Sequence, residues 1–285
     1  MRRLITGLEQ LLRNSPLWVP LRNLTRYVLG LLARTGLNQG ESAIIDQSHD
    51  YWTREALDAP NMFHWRGEEG IGDDAFDRMG ARNAARFQRF ATAIDFPTSD
   101  LTVLEWGCGG GTNLRALAPH ASTLYGVDVS PESLDEAERE LAEVGPAFTP
   151  VLTTVADPEA ALSAVAAPLD LFLCVNVMEL IPSPEYGERI LQIARQMLRP
   201  GGMALIQIRY RTGRVRTRPM RAFYRLDPAA VTTYGIDEFW TLCQANGLTP
   251  HLLTLEPAEE VIGDRYAYYA LTATDRPMGR TGASS

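Results

Sequence analysis

The sequence predicts an α/β chain: a doubly wound, mostly parallel seven-stranded sheet with an antiparallel last strand, preceded by an N-terminal helical extension. Three observations predict it. From residue 101 onward short apolar runs alternate with amphipathic segments, the pattern of a parallel sheet with crossover helices on both faces. The first run, Leu101–Trp106, enters a glycine-rich turn, V-L-E-W-G-C-G-G-G-T-N at 103–113. The residues before it carry apolar stripes of helical period.

The elements follow in order. Apolar residues at 4, 5, 8, 11 and 12 make one helical stripe, and Leu21, Leu24, Val28, Leu31 and Leu32 make a second after Pro16 and Pro20. Both have a basic face, which leaves two readings open: a helical cap or homodimer arm, or a peripheral membrane contact. Helical character resumes over 40–58 and 74–94. In the latter Phe76, Met79, Phe87, Phe90 and Ile94 keep a period near 3.6 and Asn83 is the stripe's one polar interruption. Strands are expected at 101–106, 123–127, 148–155, 169–175, 203–208, 251–255 and 266–272. Helices are expected at 112–118, 158–166, 185–198 and 236–246. Another helix opens at Ser130-Pro131-Glu132, where Ser130 suits the N-cap and Pro131 the first turn, and continues over 133–144. The expected division is a helical extension and lid over 1–95, a cofactor-binding domain over 96–275 and a disordered tail over 276–285.

Composition removes several function classes. The 285 residues, 45% of them hydrophobic, suffice for one large domain with additions. No run of about 18 apolar residues exists, so no transmembrane span is expected, and no secretory signal is read at the N-terminus. Cys108, Cys174 and Cys243 are far apart and odd in number; reduced thiols in a bacterial cytoplasm are the plain reading. The four histidines form no metal-binding spacing, so no metal is expected. All 27 basic residues are arginine, which excludes a phosphate-loop lysine and a Schiff-base lysine. The net charge of −8 argues against DNA. It is unevenly placed: residues 1–34 hold six arginines against Glu9 alone, +5, and the remainder holds 21 arginines against 34 acids, −13.

The glycine loop joins a first strand to a first helix, where doubly wound sheets bind ligands. Glycine lets the backbone approach a ligand closely. A dinucleotide fingerprint reads G-x-G-x-x-G, whereas this loop reads E-x-G-x-G-x-G. Glu105 at its mouth would repel a pyrophosphate but favour an ammonium. Asp128 closes the second strand in G-V-D-V-S, 21 residues after Gly107, where an acid can accept both hydroxyls of a ribose. An ammonium and a ribose on one ligand describe S-adenosylmethionine, or its product S-adenosylhomocysteine.

Over residues 95–275 the sequence resembles the class I S-adenosylmethionine-dependent methyltransferases. L-E-W-G-C-G-G-G resembles that family's first motif and Y-G-V-D-V-S its second. The resemblance implies a Rossmann-like fold and a set of cofactor residues. Glu105 would reach the methionine amino group. Gly107 and Gly109, with Cys108 between them, would lie against the methionine and sugar. Asp128 would hold the ribose, Val129 would pack on the adenine and Asp157 of T-V-A-D-P would bond the adenine amino group. Pro158, next in line, lacks the N–H that relatives often give the ring. N-V-M-E-L-I resembles the fourth motif, with Asn176 near the sulfonium; Leu180 follows Glu179 where many relatives carry a histidine.

The expected chemistry is O-methylation of a small molecule, with a carbohydrate or specialised metabolite first. The candidate bases are His49, His64, Glu179 and Tyr210. Seven arginines and no acid fall between Arg209 and Arg225; Arg209, Arg211 and Arg214 are the candidates to grip an anionic acceptor. A solvated loop is the alternative. Other readings are a non-catalytic cofactor-binding scaffold, a carrier-linked, lipid-linked or RNA acceptor, and a nucleotide-dependent oxidoreductase, which the glycine spacing and Glu105 disfavour.

Overall fold

A computed structural model describes residues 38–53, 65–68, 70–166, 168–222, 224, 228–256 and 265–274, together with Leu24, Val28, Leu31 and Leu32. The elements are α1 (Glu41–Trp52), α2 (Asp73–Ala93), β1 (Leu101–Trp106), α3 (Thr112–Leu117), β2 (Ala121–Asp128), α4 (Pro131–Leu141), β3 (Ala147–Leu152), α5 (Ala161–Ala164), β4 (Leu169–Cys174), α6 (Pro184–Met197), β5 (Leu198–Arg209), α7 (Ile236–Ala245), β6 (Leu248–Glu256) and β7 (Tyr266–Ala273). They form one seven-stranded sheet in the order β3-β2-β1-β4-β5-β7-β6. β7 pairs antiparallel with both neighbours, and the other pairs are parallel.

The central strands read as continuous apolar runs because both faces are covered. In β4, Leu171 and Leu173 pack on the side of α2, α3 and α4, while Phe172 and Cys174 pack on the side of α6 and α7. The strand order reverses between β1 and β4, so their carboxyl ends diverge and leave a crevice there.

Local chemistry sets the boundaries. Ser130 caps α4 by accepting from Ser133 N at 3.2 Å, with Pro131 in the first turn. Ser183 caps α6 through Tyr186 N at 3.0 Å. β3 ends at Leu152, three residues early, because Thr153 turns away: its N–H donates to Asp128 O at 3.0 Å and its hydroxyl to Asp157 O at 2.8 Å. The helix expected over 158–166 is a 3-10 turn, Pro158–Ala160, followed by the single turn of α5. Among the described residues no helix is long and apolar enough to cross a membrane, and no group of three or more His, Cys, Asp or Glu side chains could hold a metal. The first stripe and the tail at 276–285 lie outside the described residues.

Candidate functional site

A cavity of about 850 Å³, counting its open mouth, lies at the carboxyl ends of the parallel strands. The strand ends supply its floor: Trp106, Gly107 and Gly109 at the end of β1, Asp128 and Val129 at the end of β2, Thr153 and Val155 after β3, and Asn176 and Val177 after β4. The outer wall comes from segments that are not strand ends: Ser48 and Trp52 of α1, Leu180 and Ile181, Tyr186 of α6, and Tyr224.

The glycine loop folds over β2. Gly107 N and Cys108 N both donate to Val127 O, at 2.7 and 3.1 Å. Gly107 has φ +71°, and a Cβ there would stand 2.4 Å from Val177 Cγ2. Only glycine fits that conformation and that gap. Trp65 closes the loop from outside: its Nε1 donates to Ser133 Oγ at 3.3 Å, and its Cδ1 would lie 2.9 Å from a Cβ on Gly110.

Asp128 is built as an anchor. Its Oδ2 accepts from Gly109 N at 2.9 Å, and its Oδ1 from Val129 N and Ser130 N at 2.7 and 3.0 Å. Burial pushes its carboxyl above the usual range while the three backbone donors pull it back. A carboxylate has about four lone-pair positions, so three backbone bonds leave room for a ligand hydroxyl. Glu105 is buried beneath the loop and is not part of the cavity wall. Its Oε1 accepts from Asn113 Nδ2 at 2.6 Å, and its Oε2 has no hydrogen-bond partner. Burial raises its pKa to about 8; the Asn113 bond opposes that rise, the charge of Asp128 adds to it, and the Leu114 N–H at the start of α3 opposes it as well. A buried carboxylate oxygen without a partner is costly, and a cationic group above the loop would offset that cost.

Of the other residues singled out in the sequence, Gly107, Gly109, Val129 and Asn176 line the cavity. Asn176 holds φ +60°, and its N–H donates to the buried Gln207 Oε1 at 3.0 Å. The other described candidates lie off the cavity lining. Asp157 is exposed and outside the lining, because the turn at Thr153 brings Thr153 and Val155 to the cavity instead. Cys108 packs down against Gly126, which has no Cβ to obstruct its sulfur. His49 is on the exposed face of α1, and the same helix turns Ser48 and Trp52 inward. Glu179 is buried behind the cavity, where its Oε1 accepts from Gln207 Nε2 at 3.5 Å; it supports the residue that holds Asn176. Tyr210 lies outside the wall, in a bridge to Tyr234. His64 lies outside the described residues.

The arginine segment holds partners within the chain. Arg209 donates to Ala229 O, and Arg211 donates to Thr233 O at 2.8 Å and pairs with Glu238. They tie the chain after β5 to the turn before α7. Arg214 is exposed and no part of the cavity. Ser48, Tyr186 and Tyr224 of the wall are not among the sequence candidates. Tyr224 Oη donates to Leu180 O at 2.8 Å and accepts from Trp52 Nε1 at 2.8 Å. These contacts join residues 172 and 44 positions apart, which no local period reveals.

Residues 104–204 match the family model for a methyltransferase domain. That span, about a third of the chain, is similar to a methyltransferase domain. Among curated proteins it is similar to a ubiquinone biosynthesis O-methyltransferase of Actinobacillus pleuropneumoniae, 30% identical over 39% of this chain and 46% of that one. A protein of the same description from Xylella fastidiosa is 29% identical over 47% of this chain and 51% of that one. The matches thus span about half the length of these relatives. Among solved structures, magnesium protoporphyrin IX methyltransferase of Synechocystis with bound S-adenosylhomocysteine superposes with a TM-score of 0.58 at 14% identity, over 80% of this chain and 99% of that one. An N-methyltransferase, NodS of Bradyrhizobium japonicum, also with bound S-adenosylhomocysteine, gives 0.54 at 18% identity, over 80% and 97%. These two likenesses concern the fold. The cavity fits S-adenosylmethionine: a glycine cradle, Asp128 beside it, and a buried carboxylate under the loop.

Proposed function

We propose that the chain transfers a methyl group from S-adenosylmethionine to a hydroxyl of a small, largely apolar ring acceptor. The observation that carries the reading is the cavity itself, whose floor is made by strand ends and whose outer wall is aromatic. When bound, the cofactor supplies a methyl group already activated on a sulfonium. Asp128 would accept the ribose hydroxyls, Glu105 would balance the ammonium, and Asn176 with Val177 would border the reacting end. Trp52, Leu180, Ile181 and Tyr224 would hold the acceptor in line, and such positioning can supply roughly 7–11 kcal/mol of a barrier. The Tyr224 hydroxyl and the Trp52 indole N–H already bond each other and Leu180 O, and Leu180 and Ile181 beside them are apolar, which favours an apolar ring over a glycan. The printed name of the curated relatives favours oxygen as the acceptor atom. His64, in F-H-W-R ahead of the core, is the base proposed from the sequence.

Labelled-methyl transfer to a panel of phenols, catechols and sugars tests this. Trp52→Ala should raise the acceptor KM by about tenfold or more and leave the cofactor KM within about twofold. His64→Ala should lose most transfer, and His49→Ala should lose none. Preference for sugars, or a cofactor KM that moves with Trp52, would contradict the assignment.

The Glu105 reading predicts a pH dependence. With the ligand-free pKa at about 8, an ammonium-bearing ligand selects the ionised minority at pH 7. Affinity for S-adenosylhomocysteine should therefore rise by about an order of magnitude between pH 7 and 8.5, with proton release on binding. Folding has the opposite sign. The native carboxyl keeps a proton that the unfolded one loses, so the ligand-free protein loses stability as pH rises from about 4.5 through 8. Calorimetry in buffers of different ionisation enthalpy measures the first effect; a flat affinity would remove Glu105 from the ammonium.

One observation favours membrane contact as well. Leu24, Val28, Leu31 and Leu32 are helical, stand at one-face spacing, and are exposed by 37–59%. They belong to the +5 segment of an otherwise acidic chain, a charge pattern that orients this end toward an anionic bilayer. The full chain should float with phosphatidylcholine vesicles that contain phosphatidylglycerol and not with phosphatidylcholine alone. Replacing all four residues by serine should abolish flotation. Failure to float, or dimers lost in the same variant, would give the stripe to another partner.

A further inference from the structure

A buried polar chain runs from the cofactor loop to the far edge of the sheet. Glu105 Oε1 accepts from Asn113 Nδ2 at 2.6 Å, and Asn113 Oδ1 accepts from Asn83 Nδ2 at 2.7 Å. Asn83 Oδ1 accepts from Arg86, whose other terminal nitrogen pairs with Glu256 of β6. Arg86 is fully buried, with its guanidinium 3.5 Å from the centre of the Tyr268 ring. Asn83 and Asn113 are buried too. Neither α2, which supplies Asn83 and Arg86, nor β6 lines the cavity.

The direction of this chain is fixed at one end. An amide can present either its oxygen or its nitrogen to a neighbour, but a guanidinium only donates. Arg86 therefore compels Asn83 to turn its oxygen inward and its nitrogen toward Asn113. Asn113 must answer with its own oxygen, which leaves its nitrogen for Glu105. A donor aimed at Glu105 favours the carboxylate over the acid.

We propose that Asn83 and Arg86 are positioning residues for the cofactor site: the guanidinium sets the polarity of two amides in series, and that polarity holds Glu105 ready to ionise. This rests on the reading of Glu105 as the partner of the cofactor's ammonium, but its first test does not. The groups facing Glu105 are Asn113 and the Leu114 N–H from α3, Asp128 from β2, Cys108 from the loop and Cys174 from β4. Asp128 is the charged one and opposes ionisation; the directed amide offsets it.

Asn83→Asp keeps the shape and the bond to Arg86 but cannot donate. Asn113 would then turn its nitrogen toward position 83 and its oxygen toward Glu105. Asn83→Leu cuts the chain without adding charge. The carboxyl carbon of Glu105, followed in ligand-free, glutamate-labelled protein and identified with Glu105→Gln, reports the titration directly. Both substitutions should move its midpoint upward, Asn83→Asp by about one pH unit or more and Asn83→Leu by less. An unmoved midpoint in both, or a rise in Asn83→Asp alone, would overturn the proposal; the second result would mean charge repulsion only. Should Asn83→Leu not fold, Asn83→Ala carries the same reading. Titration with S-adenosylhomocysteine across pH is the second readout: the rise in affinity should shift upward with the midpoint, whereas a purely structural role would weaken binding equally at every pH. Wild-type protein that bound no S-adenosylhomocysteine would sink the cofactor reading and leave the carboxyl titration standing.

Discussion

Replacing Asp128 by alanine should lower affinity for S-adenosylhomocysteine by two to three orders of magnitude. Two causes act together. A ribose would lose a charged acceptor for its hydroxyls, and bonds to charged groups contribute about 1.5–3 kcal/mol each. The loop would also lose its tie, because Asp128 accepts from Gly109 N, Val129 N and Ser130 N, and Gly109 would no longer be held over β2. Trp106 and Trp52 both line the cavity, so quenching of tryptophan emission on titration reads the effect. Asp128→Asn should be milder, since one amide oxygen still accepts. An alanine variant within about threefold of wild type would show that the ribose is held elsewhere.

The second large effect belongs to Gly107. Alanine there meets two obstacles at once: the positive φ of +71° and a methyl group 2.4 Å from Val177 Cγ2. Overpacking of this kind costs about 1–3 kcal/mol, and the strained backbone adds about 1 kcal/mol or more. Val177 must move, and it lines the cavity. Gly107→Ala should therefore lower the urea midpoint and remove measurable cofactor binding. Gly213→Ala is the control: nothing lies within 4 Å of its Cβ position, so stability should hold within about 0.5 kcal/mol. Equal behaviour of the two variants would contradict the geometry drawn for the loop.

Most of the sheet was legible in the sequence because buried parallel strands and amphipathic crossover helices leave periodic traces. β1 was placed to the residue, and β7, antiparallel between β5 and β6, is the last strand as expected. The glycine loop and Asp128 were legible because their chemistry is local: a strand, a turn that needs glycine, and an acid at the next strand's end. The acceptor wall was not. Ser48, Trp52 and Tyr224 meet through contacts that span more than 170 residues, and no spacing rule connects them. Arg209 and Arg211 misled for a related reason. An arginine-rich stretch looks like an anion site until its carbonyl and carboxylate partners, Ala229, Thr233 and Glu238, are placed beside it. Asn83 stood out as a polar break in an apolar stripe, yet only the fold shows that Arg86, one turn on, is buried with it and that both point at Glu105 through Asn113.

The most direct test of the central claim is calorimetric titration of the purified chain, freed of any co-purified ligand, with S-adenosylhomocysteine and in parallel with NADH. The account predicts one site of micromolar affinity for the first and no heat of binding for the second. NADH binding, or no binding of S-adenosylhomocysteine at any pH from about 6.5 to 8.5, the range over which Glu105 ionises, would contradict it.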